Sequence, residues 1–142
     1  MCGVGEDIYL AAINNNTYKV DVLKNRQCLF SLYESEEVFS FNPKSISVDG
    51  NSIYVSGSAV VNSDDRYKNI AFVCKNSDIL YNLAIEGEKR SEAHSVVAID
   101  GDVYVSGYSE ADERYLCTWK NGKLLYKYEG YSSSGTNKLF VK

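Results

Sequence analysis

Apolar and polar positions alternate along most of the chain, in short runs that are separated by turn residues. The clearest run covers residues 96–107, VVAIDGDVYVSG, in which β-branched and apolar residues flank the dipeptide Asp100-Gly101. A dipeptide that accepts positive φ between two such runs predicts a tight β-hairpin. No window shows the i, i+3, i+4, i+7 spacing of an amphipathic helix, so the pattern predicts an all-β chain.

This hairpin pattern is repeated along the chain. It occurs again at residues 45–57, SISVDGNSIYVSG, and in a shortened form at residues 5–12, GEDIYLAA. The aligned tyrosines are 45 and 50 residues apart: Tyr9, Tyr54 and Tyr104. A second landmark, the dipeptide Lys-Asn, starts at residues 24, 75 and 120, which are 51 and 45 residues apart. Two landmarks that keep this period indicate three copies of one structural unit.

Each full copy contains four short stretches of strand-like pattern. In the second copy they cover about residues 45–48, 52–56, 69–74 and 79–84, and in the third about 96–99, 103–106, 115–119 and 124–128. The turn before the last stretch is Lys-Asn-Gly in the third copy and Asn-Ser-Asp in the second. Four antiparallel strands in a unit of this length are typical of a β-propeller blade.

The sequence D-G-x-x-Y-V-S-G, followed by a W-K-N-G turn, resembles the blade repeat of uncharacterised bacterial β-propeller proteins, many of them exported. The resemblance covers nearly the whole chain and implies one repeat domain over residues 1–142. Its blades would cover about residues 5–41, 44–86 and 95–130. The first copy departs most, with Ala11-Ala12 in place of Ser-Gly and Leu23 in place of Trp119. The resemblance implies a fold and no particular activity.

The two ends of the chain suggest how the blades are completed. The first copy starts at its turn glycine, Gly5, and so lacks a first strand, whereas residues 138–142, KLFVK, align with a first strand. We expect this C-terminal segment to complete a first blade, because closure removes an unpaired sheet edge. Three blades are too few for a ring, so we expect a homodimer with six blades. The alternative is that the chain is a fragment of a longer propeller.

Composition narrows the class of partner. Apolar residues make up 44% of the 142 residues and charged residues 24%, which is ordinary for one globular domain. The net charge of −4 and the lack of a basic stripe argue against nucleic acid as a partner. No apolar run is long enough for a membrane span, and no signal segment is visible. The compartment therefore stays open, and export remains compatible with a signal segment that was removed.

The four cysteines are widely spaced: Cys2, Cys28, Cys74 and Cys117. They form no C-x-x-C pair and no histidine lies near them, which argues against a zinc site. Buried free thiols are the favoured interpretation, and disulfides in an exported protein are the alternative. The sequence does not decide their redox state, and it predicts no cofactor.

Few residues are candidates for chemistry. His94, the only histidine, precedes the predicted first strand of the third blade, where it could pair with a symmetry mate near an axis. Two acidic loops follow the second strands and offer oxygen ligands for Ca²⁺ or, less well supported, a glycosidase carboxylate pair. Their carboxylates belong to Asp64, Asp65, Asp112 and Glu113. The favoured interpretation is that all these groups are polar side chains without a functional role, which are solvated or hydrogen-bonded to the backbone.

Tyrosines in or near loops are the best functional signal. The candidates for a ligand-stacking role are Tyr67, Tyr108, Tyr115 and Tyr131. We therefore predict a non-catalytic binding module that holds a glycan, peptide or protein through loops on one face. The alternatives are a hydrolase or lyase with an axial site built from His94 and loop carboxylates, and a purely structural assembly domain. A histidine and an acidic side chain within hydrogen-bond reach in one axial pocket would favour the enzyme.

Overall fold

The computed structural model describes residues 1–63, 66–131 and 139–141. Twelve strands and no helix occur in these ranges, and the strands form three four-stranded antiparallel sheets. The first sheet contains β1 (Cys2–Val4), β2 (Asp7–Ile13), β3 (Val20–Lys24) and β4 (Gln27–Leu32). The second contains β5 (Val38–Asp49), β6 (Ser52–Ser63), β7 (Arg66–Lys75) and β8 (Asp78–Asn82). The third contains β9 (Arg90–Ile99), β10 (Asp102–Glu110), β11 (Arg114–Lys120) and β12 (Lys123–Tyr128).

Each sheet repeats the same meander, in which the strands lie side by side in chain order. In every copy the landmark tyrosine of the second strand lies opposite the landmark lysine of the third strand. The predicted all-β class with three four-stranded sheets is therefore confirmed. The three sheets do not close into a ring, so the chain by itself is an open array.

Two hydrophobic clusters join the sheets. The first contains Val22 of the first sheet together with Val55 and Phe72 of the second. The second cluster contains Val73 of the second sheet together with Trp119 of the third. Opposite faces of the second sheet therefore pack against the first and third sheets, as the alternation of side chains along a strand requires. The predicted core role of Trp119 and Cys74 is confirmed, since both are buried.

Hydrogen bonds also join the first strands of successive sheets. Ser45 Oγ of β5 accepts from the backbone N–H of Val96 in β9 at 3.2 Å, and Ser47 Oγ accepts from Ala98 at 3.0 Å. Asp49 of β5 then accepts from the N–H of Gly101, in the hairpin turn after β9, at 2.8 Å. The first strand of one sheet is therefore held directly against the first strand of the next.

The strand boundaries differ from the prediction at the start of each sheet. Residues 2–4 form β1, which pairs with β2, so the first sheet contains a first strand of its own where residues 138–142 were expected. The repeat motif did not reveal β1 because MCGV carries none of the repeated residues. The second and third sheets also start earlier than expected, at Val38 and Arg90. Of the C-terminal segment, the backbone N–H of Leu139 donates to Ser95 Oγ of β9 at 3.3 Å.

Across the ranges that the structure describes, there is no helix with the length and apolar character needed to cross a membrane.

Candidate functional site

His94 lies at a β-bulge inside strand β9. In the pairing of β9 with β10, Ala93 and Ser95 lie opposite two successive residues, so His94 is the extra residue of the bulge. The sequence placed His94 before its strand, but β9 already begins at Arg90. The bulge turns the histidine side chain out of the regular alternation of the strand.

Lys44 is the corresponding bulge residue of the second sheet. Pro43 and Ser45 of β5 lie opposite Gly57 and Ser56, which are adjacent in β6, so Lys44 is left over between them. The bulge residues of β5 and β9 thus take the same place in successive sheets. Because these two strands lie side by side, their bulges bring Lys44 and His94 to one carboxylate.

That carboxylate belongs to Glu92, and the three side chains form what we call the bulge cluster: Lys44, Glu92 and His94. His94 Nε2 lies 3.2 Å from Glu92 Oε1, and Lys44 Nζ lies 3.2 Å from the same oxygen. The His94 side chain is only 15% exposed, and its Nδ1 atom is buried without a hydrogen-bond partner among the described residues. One imidazole nitrogen therefore faces a carboxylate, and the other faces the interior.

This geometry limits what the bulge cluster can do chemically. A general base needs a lone pair directed at the substrate. Glu92 Oε1 is already shared by Lys44 and His94, and neither nitrogen of His94 points to open solvent. The bulge cluster therefore suits the joining of the second and third sheets better than proton transfer.

Tyr108 is packed between charged and aromatic side chains and is not available to a ligand. Its ring meets the ring of His94 edge to face at 5.4 Å, and the guanidinium of Arg114 lies 4.4 Å from its centroid. Tyr108 belongs to β10 and is buried, so the expectation that it lies exposed near a loop is wrong. The alternation of the strand turns its ring inward, and the long side chain of Arg114 covers it.

Arg114 is fixed in this position by a carboxylate of the same hairpin. Glu110 accepts hydrogen bonds from Arg90 at 2.9 Å and from Arg114 at 2.8 Å. The hydrogen bond from Arg90, followed by that from Arg114, lowers the pKa of Glu110. The same contact with Glu110 raises the pKa of Arg90. This group is charged and fully paired, which is typical of a structural network.

The other three candidate tyrosines differ in exposure. Tyr115 is half-buried in β11, and the ammonium of Lys127 lies 3.7 Å from its ring centroid. Tyr67 is 65% exposed and Tyr131 is 61% exposed. Tyr67 also meets the ring of Phe39 edge to face at 5.1 Å, so its orientation is supported by a second aromatic side chain.

Tyr67 lines a polar groove of about 560 Å³, which we call the Tyr67 groove. The groove lies between the β6–β7 hairpin and the segment that leads from β8 into β9. Its walls are Ser63, Arg66, Tyr67, Lys68, Glu88 and Lys89. Lys89 is held by Asp112 of the next hairpin at 3.0 Å. The groove thus combines an exposed aromatic ring with three cationic side chains.

Glu88, on the wall of this groove, is a buried residue that the sequence did not indicate. Its two carboxylate oxygens accept hydrogen bonds from Ser91 Oγ and Ser109 Oγ, both at 2.8 Å. Ser91 Oγ in turn accepts from the backbone N–H of Ala71 in β7. Glu88 therefore joins the second and third sheets at the base of the groove. Nothing in the local sequence distinguishes it from its solvated neighbours.

The predicted metal candidates are not brought together where the structure describes them. The Asp112 side chain is almost fully exposed and binds Lys89, and Glu113 is exposed. Asp64 and Asp65 lie outside the described residues. Among the residues that are described, no three metal-ligating side chains form a cluster.

All four cysteines are free thiols in this structure. Cys74 and Cys117 are buried, and burial raises the pKa of Cys74 to about 12 and that of Cys117 to about 11. Cys28 is exposed, and Cys2 is half-buried in β1. The predicted burial of free thiols therefore holds for two of the four.

A second hollow, on the outer face of the first sheet, is mostly apolar. We call it the open face of the first sheet, and its lining residues are Ile8, Leu10, Leu23, Asn25 and Arg26. Leu23 was predicted to be core like Trp119, but it is only half-buried, because none of the described sheets packs on that side.

Comparisons of this chain with protein-family models, with curated proteins and with solved structures give no match. The resemblance to bacterial propeller blades therefore stays a prediction, and the functional argument rests on the chain's own geometry.

Proposed function

We propose that this chain is a non-catalytic binding module of the β-propeller type, which holds its ligand in the Tyr67 groove. The observation that carries the proposal is the position of Tyr67, an exposed ring in a concave surface with cationic neighbours. Of the four predicted tyrosines, it is the one that combines exposure with a second aromatic ring behind it. A site with these features holds a ligand without any catalytic group.

The side chains of the groove favour one kind of ligand. An aromatic face stacks on the apolar face of a sugar ring or on a planar side chain. Arg66 and Lys68 favour negative charge beside that surface. Lys89 is already paired with Asp112, and the Glu88 carboxylate on the same wall accepts from Ser91 and Ser109. An acidic glycan or an acidic peptide therefore fits the groove better than a neutral or basic ligand.

Calorimetric titration with an oligosaccharide of uronic acids, with its neutral counterpart, and with a peptide rich in Asp and Tyr tests this proposal. We expect the acidic probes to bind more tightly than the neutral one. Tyr67→Ala should weaken binding about tenfold, which is the range of one stacking contact. Tyr131→Ala is the matched control, since Tyr131 is equally exposed but does not line the groove. Equal effects of the two substitutions, or no binding of any probe, would contradict the proposal.

The enzyme alternative has one observation in its favour, the contact of His94 with Glu92 at 3.2 Å. The pair would act as a general base and its orienting carboxylate. The burial of Nδ1 and the shared use of Oε1 by Lys44 argue against this role. Incubation of the intact chain with the bound probe decides between the two. Turnover that His94→Gln abolishes while binding is retained would favour a hydrolase or lyase over a binding module.

The second part of the proposal is that two chains complete a six-bladed ring. Both end sheets have a face that no other sheet covers within the part of the chain that the structure describes. Ile8 and Leu10 on the open face of the first sheet are 54% and 41% exposed. The equivalent residues of the second and third sheets are buried between sheets: Ile53, Val55, Val103 and Val105. The open face is thus one half of an interface that the chain forms twice internally.

The third sheet presents the other half of that interface. Tyr104, Leu116 and Thr118 lie on its outer face and are half-buried. Their equivalents in the second sheet are buried: Tyr54, Ala71 and Val73. The outer face of the third sheet therefore fits the open face of a second copy by the packing that already joins the sheets within one chain. With three sheets each, two copies give six blades, which is within the usual range for propellers.

Light scattering on the intact chain measures its mass in solution. We expect a dimer that Leu10→Asp separates into monomers, because Leu10 lies in the proposed interface. Leu29→Asp is the matched control, since Leu29 is 48% exposed on the outer strand β4 and should leave the dimer intact. A chain that ends after residue 137 should also lose the dimer. A stable monomer that none of these changes affects would contradict the ring and favour the open array of a longer propeller.

The titration and the light-scattering experiment together also distinguish the binding module from a purely structural assembly domain. A dimer that forms as expected but binds none of the probes would show that assembly, and not ligand binding, is the property of this chain.

A further inference from the structure

We infer that β1 and the C-terminal segment 139–141 are alternative occupants of one strand position, the edge of β2. When a second copy closes the ring, its C-terminal segment takes this edge and β1 leaves it. The inference rests on the proposed ring and specifies how that ring closes.

The position of Leu139 carries the first step. Its backbone N–H donates to Ser95 Oγ at 3.3 Å, and the N–H of Val96 donates to Ser45 Oγ at 3.2 Å. Ser45 and Ser95 hold the same place in their sheets, since each lies opposite the serine of a Ser-Gly pair. Leu139 therefore stands beside β9 where Val96 stands beside β5. The C-terminal segment already lies where the first strand of a next sheet belongs.

The register of the repeat then shows which residues that strand would meet. Val97 of β9 lies opposite Tyr104, the landmark tyrosine of the third sheet. Phe140 follows Leu139 as Val97 follows Val96, so Phe140 should lie opposite the landmark tyrosine of the next sheet. In a second copy's first sheet that residue is Tyr9.

In this structure Cys2 of β1 lies opposite Tyr9. Phe140 of a second copy and Cys2 of this chain would therefore need the same place on β2. The two strands exclude one another, and a closed ring requires that β1 be displaced.

The two occupants differ in how well they suit a strand. β1 has three residues with a glycine in the middle, and it pairs with residues 7–9 of β2 only. The corresponding strands β5 and β9 have 12 and 10 residues. Residues 139–141 are Leu, Phe and Val, which favour strands more than Cys, Gly and Val do. Phe140 is 79% exposed in the single chain, so pairing with a second copy would bury an exposed aromatic ring.

The C-terminal segment of the same chain cannot serve the first sheet. It lies beside β9 of the third sheet, and the second sheet stands between the third sheet and the first. The occupant that displaces β1 therefore comes from a second copy of this chain. β1 then covers the edge of β2 until the dimer forms.

The test weakens β1 without touching the interface. The backbone N–H and carbonyl of Ile8 both bond to Asn25, so Gly3, opposite Ile8, makes no hydrogen bond to β2, whereas the neighbouring pair of Val4 and Asp7 is the hydrogen-bonded type. Val4→Pro removes the N–H of that pair, and proline is disfavoured in a paired strand. We expect the dimer dissociation constant to fall about fivefold to tenfold, the factor that corresponds to one net hydrogen bond. Val4→Ala keeps the N–H and is the control, for which we expect no such change. Phe140→Asp should instead weaken the dimer.

A second measurement follows β1 directly. In a Cys28→Ser background, Cys2 should react with a thiol reagent faster in the dimer than in the monomer, because its strand has been released. If the intact chain dimerises but Val4→Pro and Val4→Ala behave alike and Cys2 reacts equally in both states, the exchange is overturned while the ring stands. If no variant dimerises, the ring itself fails and the exchange fails with it.

Discussion

The side-chain Oδ1 of Asn121 accepts a hydrogen bond of 2.8 Å from the backbone N–H of Val103, while its own backbone N–H donates back to the Val103 carbonyl at 2.8 Å. The asparagine of the last turn in the sheet thus holds the beginning of the second strand from two sides. The same pair of bonds joins Asn25 to Ile8 and Asn76 to Ile53. The repeated Lys-Asn dipeptide therefore does more than form a turn. Within each sheet, its asparagine holds the turn between the third and fourth strands against the start of the second strand.

Substitution of Asn121 should reveal how much this contact contributes to the free energy of unfolding. Asn121→Ala removes the acceptor for Val103 and places alanine, which tolerates the left-handed region less well than asparagine does, at a φ of 49°. Asn121→Gly removes the acceptor but suits the positive φ. We expect Asn121→Ala to lower the free energy of unfolding by about 1–2 kcal/mol, and Asn121→Gly by less. Urea denaturation measures both, and equal losses would mean that the side-chain bond alone matters.

Gly107 is required by the bulge at His94. A Cβ built on Gly107 would overlap the backbone carbonyl of Glu92, and the same conflict arises between Gly57 and Asn42 in the second sheet. The bulge brings one backbone so close to the next strand that a methyl group has no place. The predicted role of the Ser-Gly pairs in close backbone approach is therefore confirmed.

Gly107→Ala should destabilise the chain by about 3 kcal/mol or prevent folding, because the backbone atoms of β9 that the new methyl group would meet cannot move aside. Ala12→Gly in the first sheet is the matched control. Ala12 holds the equivalent place, but β1 pairs only with residues 7–9, so no described first-strand residue lies opposite Ala12. We expect Ala12→Gly to cost less than about 1 kcal/mol. Thermal or urea unfolding of the two variants compares them, and similar losses would contradict the role of the bulge.

The sequence predicted the features that each copy repeats. The alternation, the Asp-Gly and Lys-Asn turns, and the buried position of Trp119 depend on short-range geometry, and three copies made them visible. Tyr108 and Glu88 escaped prediction because their surroundings come from other strands. Tyr108 is buried by Arg114 and His94 across a hairpin and a bulge, and Glu88 by hydroxyls from two strands. Pattern along the chain does not contain such contacts between distant residues.

Glu88 should contribute measurably to stability because it is buried and accepts from two hydroxyl groups. Glu88→Ala leaves Ser91 and Ser109 without their acceptor, and we expect a loss of about 2–3 kcal/mol. Glu88→Gln keeps one carbonyl acceptor and should lose less. Urea denaturation at neutral pH gives both values. A smaller loss for the alanine variant would show that water replaces the carboxylate without cost.

Acid should weaken the fold through the exposed Asp-Lys pairs. The hydrogen bond from Lys120, followed by that from Asn121, lowers the pKa of Asp102, and Lys24 with Asn25 does the same for Asp7. A carboxyl group whose pKa is lowered by folding stabilises the fold above its unfolded pKa near 3.9, and this stabilisation is lost as the pH falls through the folded pKa. We therefore expect the urea concentration at the midpoint of unfolding to decrease when the pH is lowered below about 4.

Asp102→Asn tests the origin of this acid dependence. We expect the variant to be less stable than the parent at pH 7 and to lose less stability on acidification, because one titrating carboxylate has been removed. Both differences should shrink at high salt, since the pairs are exposed. A pH profile identical to that of the parent would assign the acid dependence to other groups.

The thiols offer a probe of local opening in the native chain. Cys28 is exposed and should react with a thiol reagent at the rate of a free cysteine. Cys2 is half-buried and should react more slowly. Cys74 and Cys117 are buried, with pKa values raised to about 12 and about 11, so they carry almost no thiolate at neutral pH and no reagent reaches them. They should react only when the second or third sheet opens, at a rate that rises with urea as the global unfolding equilibrium does.

Cys28→Ser, which leaves the two buried sulfurs in place, separates their slow phase from the fast one. Rapid reaction of all four thiols in the native chain would mean that the two inter-sheet cores open far more readily than their packing indicates.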